Sequence, residues 1–231
     1  MEILIAESVG KKYFKKQALE EINLNIEQGK IVGLLGPNGS GKTTFLKIIA
    51  GLIRPSTGKI KICNRIIGQG TKEIVAYLPD SDFLYAWMKI SEAKKVYSDF
   101  FMDFNENKFD EILNFMNLDQ KMRVKELSKG MKEKLALALT LARDARLTIL
   151  DEPLNGVDPV AREQILGAIL KGFHPENAIL ITSHLINEIE GILDEAYFLK
   201  EGKIEFSGVT EDIRNEKNMT LDEVYREVFV C

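Results

Sequence analysis

Short apolar runs broken by turn residues fill the first third of the chain. Residues 2 to 8, INLNI at 22 to 26 and KIVGLLG at 30 to 36 read as strands, with a Gln28-Gly29 turn ahead of the third. In KTTFLKIIAGLI, the positions Phe45, Leu46, Ile48, Ile49 and Leu52 recur at helical spacing until Pro55 stops the pattern. The order is strand, glycine loop, helix. KIKICNRII over 59 to 67 reads as another strand, leading into EIVAYLP at 73 to 79. From about 82 to 144, Leu, Met, Phe, Glu and Lys dominate and strand-like runs are few, which predicts an inserted helical lobe. Strand patterns return at LTILDEP (147 to 153) and AILITSH (178 to 184), on either side of a helix over about 159 to 172. Both runs are continuously apolar, as in a parallel sheet buried on both faces. AYFLKEGKIEFSG then supplies a hairpin with Glu201-Gly202 at its turn, and two short helices finish the chain.

Composition narrows the class of protein without naming its chemistry. The 231 residues are 45% hydrophobic and 29% charged, enough for one generous domain or two small ones, and poor fits to disorder or a disulfide-stapled miniprotein. Cys63 and Cys231 lie far apart with no CxxC spacing, so a reducing compartment, the cytoplasm, is expected. No apolar run approaches the roughly 18 to 20 residues that cross a bilayer, and MEILIAESVGKKYF carries acids where a secretory signal is basic. A net charge of -4 argues against broad binding of nucleic acid, and no such partner is expected, although a local anion site remains compatible with it. The acidic stretch at Asp99, Asp103, Glu106, Asp110 and Glu111 reads as a solvated helix face, with a contact surface as the alternative.

Residues 36 to 43, GPNGSGKT, satisfy G-x-x-x-x-G-K-[ST] and stand between a predicted strand and a predicted helix, where that pattern cradles phosphates. Gly36, Gly39 and Gly41 let the backbone curl so that successive N–H groups point inward, and the helix starting near Lys42 adds its positive end. Lys42 would reach the β and γ phosphates, and the Thr43 hydroxyl is placed for Mg2+. Pro37, Asn38, Ser40 and Thr44 belong to the same nucleotide-binding segment. TILDEP delivers two consecutive carboxylates at the carboxyl end of a strand, where open α/β sheets bind ligands. Asp151 suits the magnesium shell, and Glu152 suits a base that polarises water. His184 ends the next buried strand, where a group sensing the γ phosphate would be useful; His174, in GFHPE, reads as a loop residue. The fold class is α/β, a P-loop NTPase core with a mostly parallel sheet, an N-terminal antiparallel β subdomain and the helical lobe.

Nearly the whole chain resembles the nucleotide-binding subunits of ATP-binding cassette (ABC) transporters. LSKGM at 127 to 131 resembles that family's signature LSGGQ, and it leads through KEKLALALTLARD to LTILDEP in the family's order. The resemblance implies that one subunit's signature, through Ser128 and the Gly130 amide, closes over ATP held by the other subunit's phosphate loop. It also implies that Asp158 of NGVD spans the dimer interface, and that His184 is the switch histidine. Tyr13 is similar to the aromatic residue that stacks on adenine, although Phe14 is a competitor for that role and Tyr13 is equally readable as core. Two departures stand out. Lys129 and Met131 replace the signature's second glycine and its glutamine, and Asp80 stands where a glutamine normally touches Mg2+ and the attacking water. Asp80 is expected to approach the metal directly or through water.

The resemblance implies one ABC ATPase domain over 1 to 231, with 1 to 81 and 145 to 231 as core and 82 to 144 as helical lobe. It implies binding and hydrolysis of MgATP by a dimer with a second cassette, identical or not, that drives integral membrane permease subunits from the cytoplasmic face. TLDEVYREVFV at 220 to 230 looks like the end of a compact exporter-type cassette, and the compact length and the LSKGM variant look more like exporters than importers, so the resemblance leans to export. A soluble ABC ATPase acting on the ribosome or on DNA is the alternative. A GTPase or small-molecule kinase is weaker, since no NKxD-like motif is present and LSKGM would be unexplained.

Overall fold

Bulged alternation of buried and exposed side chains builds two twelve-residue strands, β1 (Glu2–Tyr13) and β2 (Lys16–Glu27), into a hairpin turning at Phe14-Lys15. The computed structural model describes residues 1 to 229, so Cys231 lies outside the described residues. The chain continues through β3 (Ile31–Leu35), α1 (Lys42–Ile49), β4 (Thr57–Ile62), β5 (Arg65–Ile66), α2 (Gln69–Lys72) and β6 (Val75–Leu78). Three longer helices follow, α3 (Ile90–Phe100), α4 (Glu106–Phe115) and α5 (Lys129–Leu141), in the segment expected to be helical. Then come β7 (Leu147–Asp151), α6 (Pro159–Gly172), β8 (Ala178–Ser183), α7 (Ile186–Ile189), β9 (Glu195–Lys200), β10 (Lys203–Val209), α8 (Thr210–Lys217) and α9 (Leu221–Phe229).

Two sheets result. The first is antiparallel, in the order β2-β1-β4-β5; the second runs β10-β9-β3-β8-β7-β6 and is parallel apart from β10. Every residue of β3, β7 and β8 is buried, because helices α5 and α6 cover one face while α1 and the antiparallel sheet cover the other. The carboxyl ends of these three strands lie side by side and point their loops the same way, which brings Gly36, Glu152 and His184 to one edge of the molecule.

Three local readings are corrected. The helix after the glycine loop ends at Ile49 rather than running towards Pro55: Gly51 N–H bonds to Ile48 O at 2.9 Å and Leu52 N–H to Lys47 O at 2.9 Å, with Gly51 at φ 68°. That paired closure is a helix stop made possible by glycine. Residues 59 to 67 are not one strand, because Cys63 (φ 47°) and Asn64 (φ 61°) turn the chain tightly between β4 and β5. The next strand is shorter than EIVAYLP, being preceded by the single turn α2, and the brief helix α7 was not expected.

The acidic stretch is largely committed within the chain. Asp103 takes Arg143 Nε and Nη2 at 2.8 Å each, Asp110 takes Lys94 at 2.9 Å, and Glu106 takes Lys94 at 3.2 Å. The buried Arg143 also donates to the carbonyls of Val75 and Glu73, so it caps the exposed edge of β6 and ties it to the helices. Among the described residues, no helix is long and apolar enough to cross a membrane.

Candidate active site

A cleft of about 580 Å³ opens over the start of α1, lined by the glycine loop, by Tyr13, Lys16 and Gln17 of the β1–β2 hairpin, and by Asp80 and Glu152. The loop that follows β3 leads into α1 through Gly41, whose φ of 115° is open to glycine and strained for other residues. A Cβ on Gly41 would stand 2.7 Å from the Ala18 carbonyl, so the hairpin approaches this loop backbone to backbone. No side chain caps α1, which leaves its first N–H groups facing the cleft without an intrahelical acceptor. Ser40 Oγ is buried there with no hydrogen-bond partner. A ring of unfilled donors at a helix N-terminus fits an anion, and phosphate oxygens have the acceptor capacity.

Lys42 is almost fully buried, with Nζ donating to Gly36 O at 2.7 Å and Pro37 O at 3.3 Å. The same Nζ is 3.3 Å from Glu152 Oε1, an ion-pair distance, although Oε1 makes no hydrogen bond. Glu152 Oε2 accepts from the His184 backbone N–H at 3.2 Å and faces His184 Nδ1 at 2.7 Å. A carboxylate only accepts, so Nδ1 carries the proton in this contact. Glu152 itself sits at φ 52°, an unusual conformation for a side chain of its size, and its N–H is held by both the carbonyl (3.2 Å) and the hydroxyl (3.0 Å) of Thr182.

Asp151 is 1% exposed. Its Oδ1 accepts from Thr182 at 2.8 Å and from Thr43 at 3.4 Å, and its Oδ2 accepts from Tyr77 at 3.3 Å. Burial pushes the Asp151 carboxyl above the ordinary value, the two threonine hydrogen bonds oppose this, and the charges of Asp80 and Glu152 add to it. The Tyr77 phenol is raised by burial and by Asp151, which keeps it a proton donor. A carboxylate and a hydroxyl among crowded negative charges form an oxygen donor set that fits a hard cation such as Mg2+.

The glycine loop and the paired carboxylates sit together at the carboxyl edge of the parallel core as a phosphate-type site, and the family model for ABC transporters matches residues 19 to 155. The chain belongs to the ABC transporter family. The lantibiotic transport ATP-binding protein SrtF of Streptococcus pyogenes is 34% identical over 205 residues, covering 87% of this chain and 89% of SrtF. A solved ATP-binding subunit of an ABC transporter is 27% identical with a TM-score of 0.87, covering 97% of this chain and 98% of that one. A dimeric cassette in a post-hydrolysis state with ADP and Pi has the same fold at 22% identity, with a TM-score of 0.79 and coverage of 90% and 98%. The chain is accordingly the ATP-binding subunit of an ABC transporter and an ATPase.

Within this cassette most of the anticipated site residues fall into two groups, while Gly36, Pro37 and Ser40 complete the glycine loop behind the cleft lining and His184 is joined to the cleft through Glu152. Tyr13, Asn38, Gly39, Gly41, Lys42, Thr43, Thr44, Asp80 and Glu152 line the cleft, with Asp151 beneath; Phe14 points to solvent at full exposure and is not part of it. Ser128, Gly130 and Asp158 do not line it. They form a second cluster: Ser128 caps α5 by accepting from Met131 N–H at 3.3 Å, Asp158 caps α6 by accepting from Ala161 N–H at 3.0 Å, and Gly130 packs towards Asp158. Lys129 folds over Gly156 between them, so its ammonium lies against the NGVD loop of its own chain. Asn155 of that loop donates to Asp80 at 3.3 Å. Thr182 and Tyr77 escaped sequence reading because each is one more apolar-strand position there; only pairing of β7 with its neighbours sets them against Asp151. His174 is a loop residue, as expected, accepting from Glu176 N–H at 3.3 Å.

Proposed function

We propose that this single cassette domain binds MgATP as one half of a dimer and that hydrolysis in the paired cassettes drives export through membrane permease subunits, from the cytoplasmic face. The observation that carries the reading is the separation of the two clusters: Lys42, Asp151 and Glu152 gather at the cleft, whereas Ser128, Gly130 and Asp158 do not line it, which favours a second cassette closing over the nucleotide. The cassette of like fold holding ADP and Pi is itself a dimer, and SrtF is named for lantibiotic transport; both favour this assembly and an export role.

The loop amides and Lys42 bind the β and γ phosphates and stabilise charge on the transferred group. Tyr13 offers its ring to the base, an interaction that discriminates weakly among bases. Thr43 and Asp151 would hold magnesium, with Asp80 near enough to the cleft to assist directly or through water. Magnesium, when bound, neutralises phosphate charge and orients the phosphate oxygens. Glu152 then orients the attacking water, and its ion pair with Lys42 gives way as phosphate takes the ammonium. His184, held by Glu152 through Nδ1, would sense the γ phosphate.

Glu152→Gln is expected to bind MgATP and accumulate as a dimer on a sizing column, because the water is no longer polarised while the phosphate contacts stay. Elution as a monomer at saturating MgATP would overturn the paired-site reading.

A further inference from the structure

The contact that orders both acidic residues comes from a side chain that never meets the cleft. Thr182 is completely buried, and its register partner across the parallel β7–β8 pair is Asp151. The hydroxyl accepts from Glu152 N–H at 3.0 Å and stands 2.8 Å from Asp151 Oδ1. With its acceptor side taken by an N–H and a carboxylate as its other neighbour, its single proton has one destination, Asp151 Oδ1. One hydroxyl thereby fixes the rotation of the Asp151 carboxylate and helps hold Glu152 in its left-handed backbone conformation. From the opposite neighbouring strand, Tyr77 OH occupies Oδ2 at 3.3 Å. Rotation of Asp151 would break both bonds, so the face of Oδ1 turned to Thr43 is set by the two strands that flank β7.

We propose that Thr182, with Tyr77, is a positioning residue that holds Asp151 in the orientation needed to take magnesium with Thr43. This rests on the reading of Asp151 as a magnesium ligand. Groups that orient a metal ligand typically matter by 10- to 100-fold in metal affinity.

The test is a Mg2+ titration of the full chain at fixed ATP, read by displacement of a fluorescent ATP analogue, with nucleotide affinity also measured in EDTA. Thr182→Val keeps shape and removes the hydroxyl; it should raise the Mg2+ midpoint about tenfold with metal-free nucleotide affinity unchanged. Thr182→Ser retains the hydroxyl and should stay near wild type, and Tyr77→Phe, which frees Oδ2 outside the tight packing around Thr182, should raise the midpoint by a smaller factor. An unshifted midpoint in Thr182→Val or Tyr77→Phe, a Ser variant as weak as Val, or an equal loss of metal-free binding would overturn the proposal. Asp151→Asn separates the two levels: with no shift there, the metal-ligand reading fails; with a shift there and none in Thr182→Val, only the positioning role fails.

Discussion

At the carboxyl ends of β3, β7 and β8, Lys42, Asp151 and Glu152 are 6%, 1% and 9% exposed and are held by one another and by their neighbours, whereas Ser128 and Asp158 are solvent-exposed helix caps outside the lining of that cleft. The first region is finished within the chain. Its backbone is fixed by sheet register and by approaches too close for a methyl group, so the chief adjustment when phosphate arrives is the release of Lys42 from Glu152. The second region has well-formed local structure without an opposing surface. A charge placed in the first region is answered inside the molecule; a group in the second can act only on something brought to it.

The largest expected effect breaks each region in turn. Lys42→Ala should lower ATP hydrolysis at least a hundredfold by removing the ammonium from the phosphate. Ser128→Asp should do likewise, although Asp caps a helix as well as Ser, because a carboxylate at the α5 N-terminus would repel a partner's γ phosphate. A mixture of the two variants in a steady-state phosphate-release assay should recover activity, since one composite site then has both good halves. Ser128→Asp with wild-type turnover would show that the cleft works alone, and the comparison would fail.

Stability sharpens the contrast. Gly41→Ala forces a methyl to within 2.7 Å of the Ala18 carbonyl at a strained φ and should cost about 1–3 kcal/mol in urea unfolding. Gly130→Ala meets nothing nearer than 3.6 Å and lies in a helix, so folding should be unchanged or gain about 0.5–1 kcal/mol. Equal losses in the two variants would remove the distinction.

The last contrast is a pH dependence beside the second region. Burial lifts the Glu133 carboxyl, one turn beyond the start of α5, from 4.5 to about 7; Lys129 opposes the rise, while Asp82 and Asp80 add to it. Between those values the folded chain retains a proton that the unfolded chain has released, so stability should fall as pH rises from about 4.5 to 7 and then level off. Glu133→Gln should flatten that part of a Tm-against-pH profile; a parallel profile would rule out Glu133 as its source.

Where a feature was readable, the reason was local. GPNGSGKT lies within one strand–loop–helix unit, and DEP follows its strand directly, so spacing alone placed Lys42, Thr43, Asp151 and Glu152. Cys63-Asn64 was misread because two residues at positive φ divide a run whose hydrophobic pattern continues across the turn. The length of α1 was overestimated because Leu52 keeps the helical period after Gly51 has already ended the helix. The choice between Tyr13 and Phe14 is open in the sequence, since only the hairpin decides it: Tyr13 ends β1 and lines the cleft, whereas Phe14, at φ 50°, makes the turn and faces solvent.

The sequence by itself located the glycine loop, the consecutive acids and LSKGM, because each is a short contiguous stretch legible from its own residues. Only the tertiary structure decided that Thr182 and Tyr77 hold Asp151, that Asn155 reaches Asp80, and that the signature stands away from the cleft of its own chain. Those relations join residues from 31 to 75 positions apart through strand register and loop packing, and side-chain order along a strand carries no record of which strand will lie beside it.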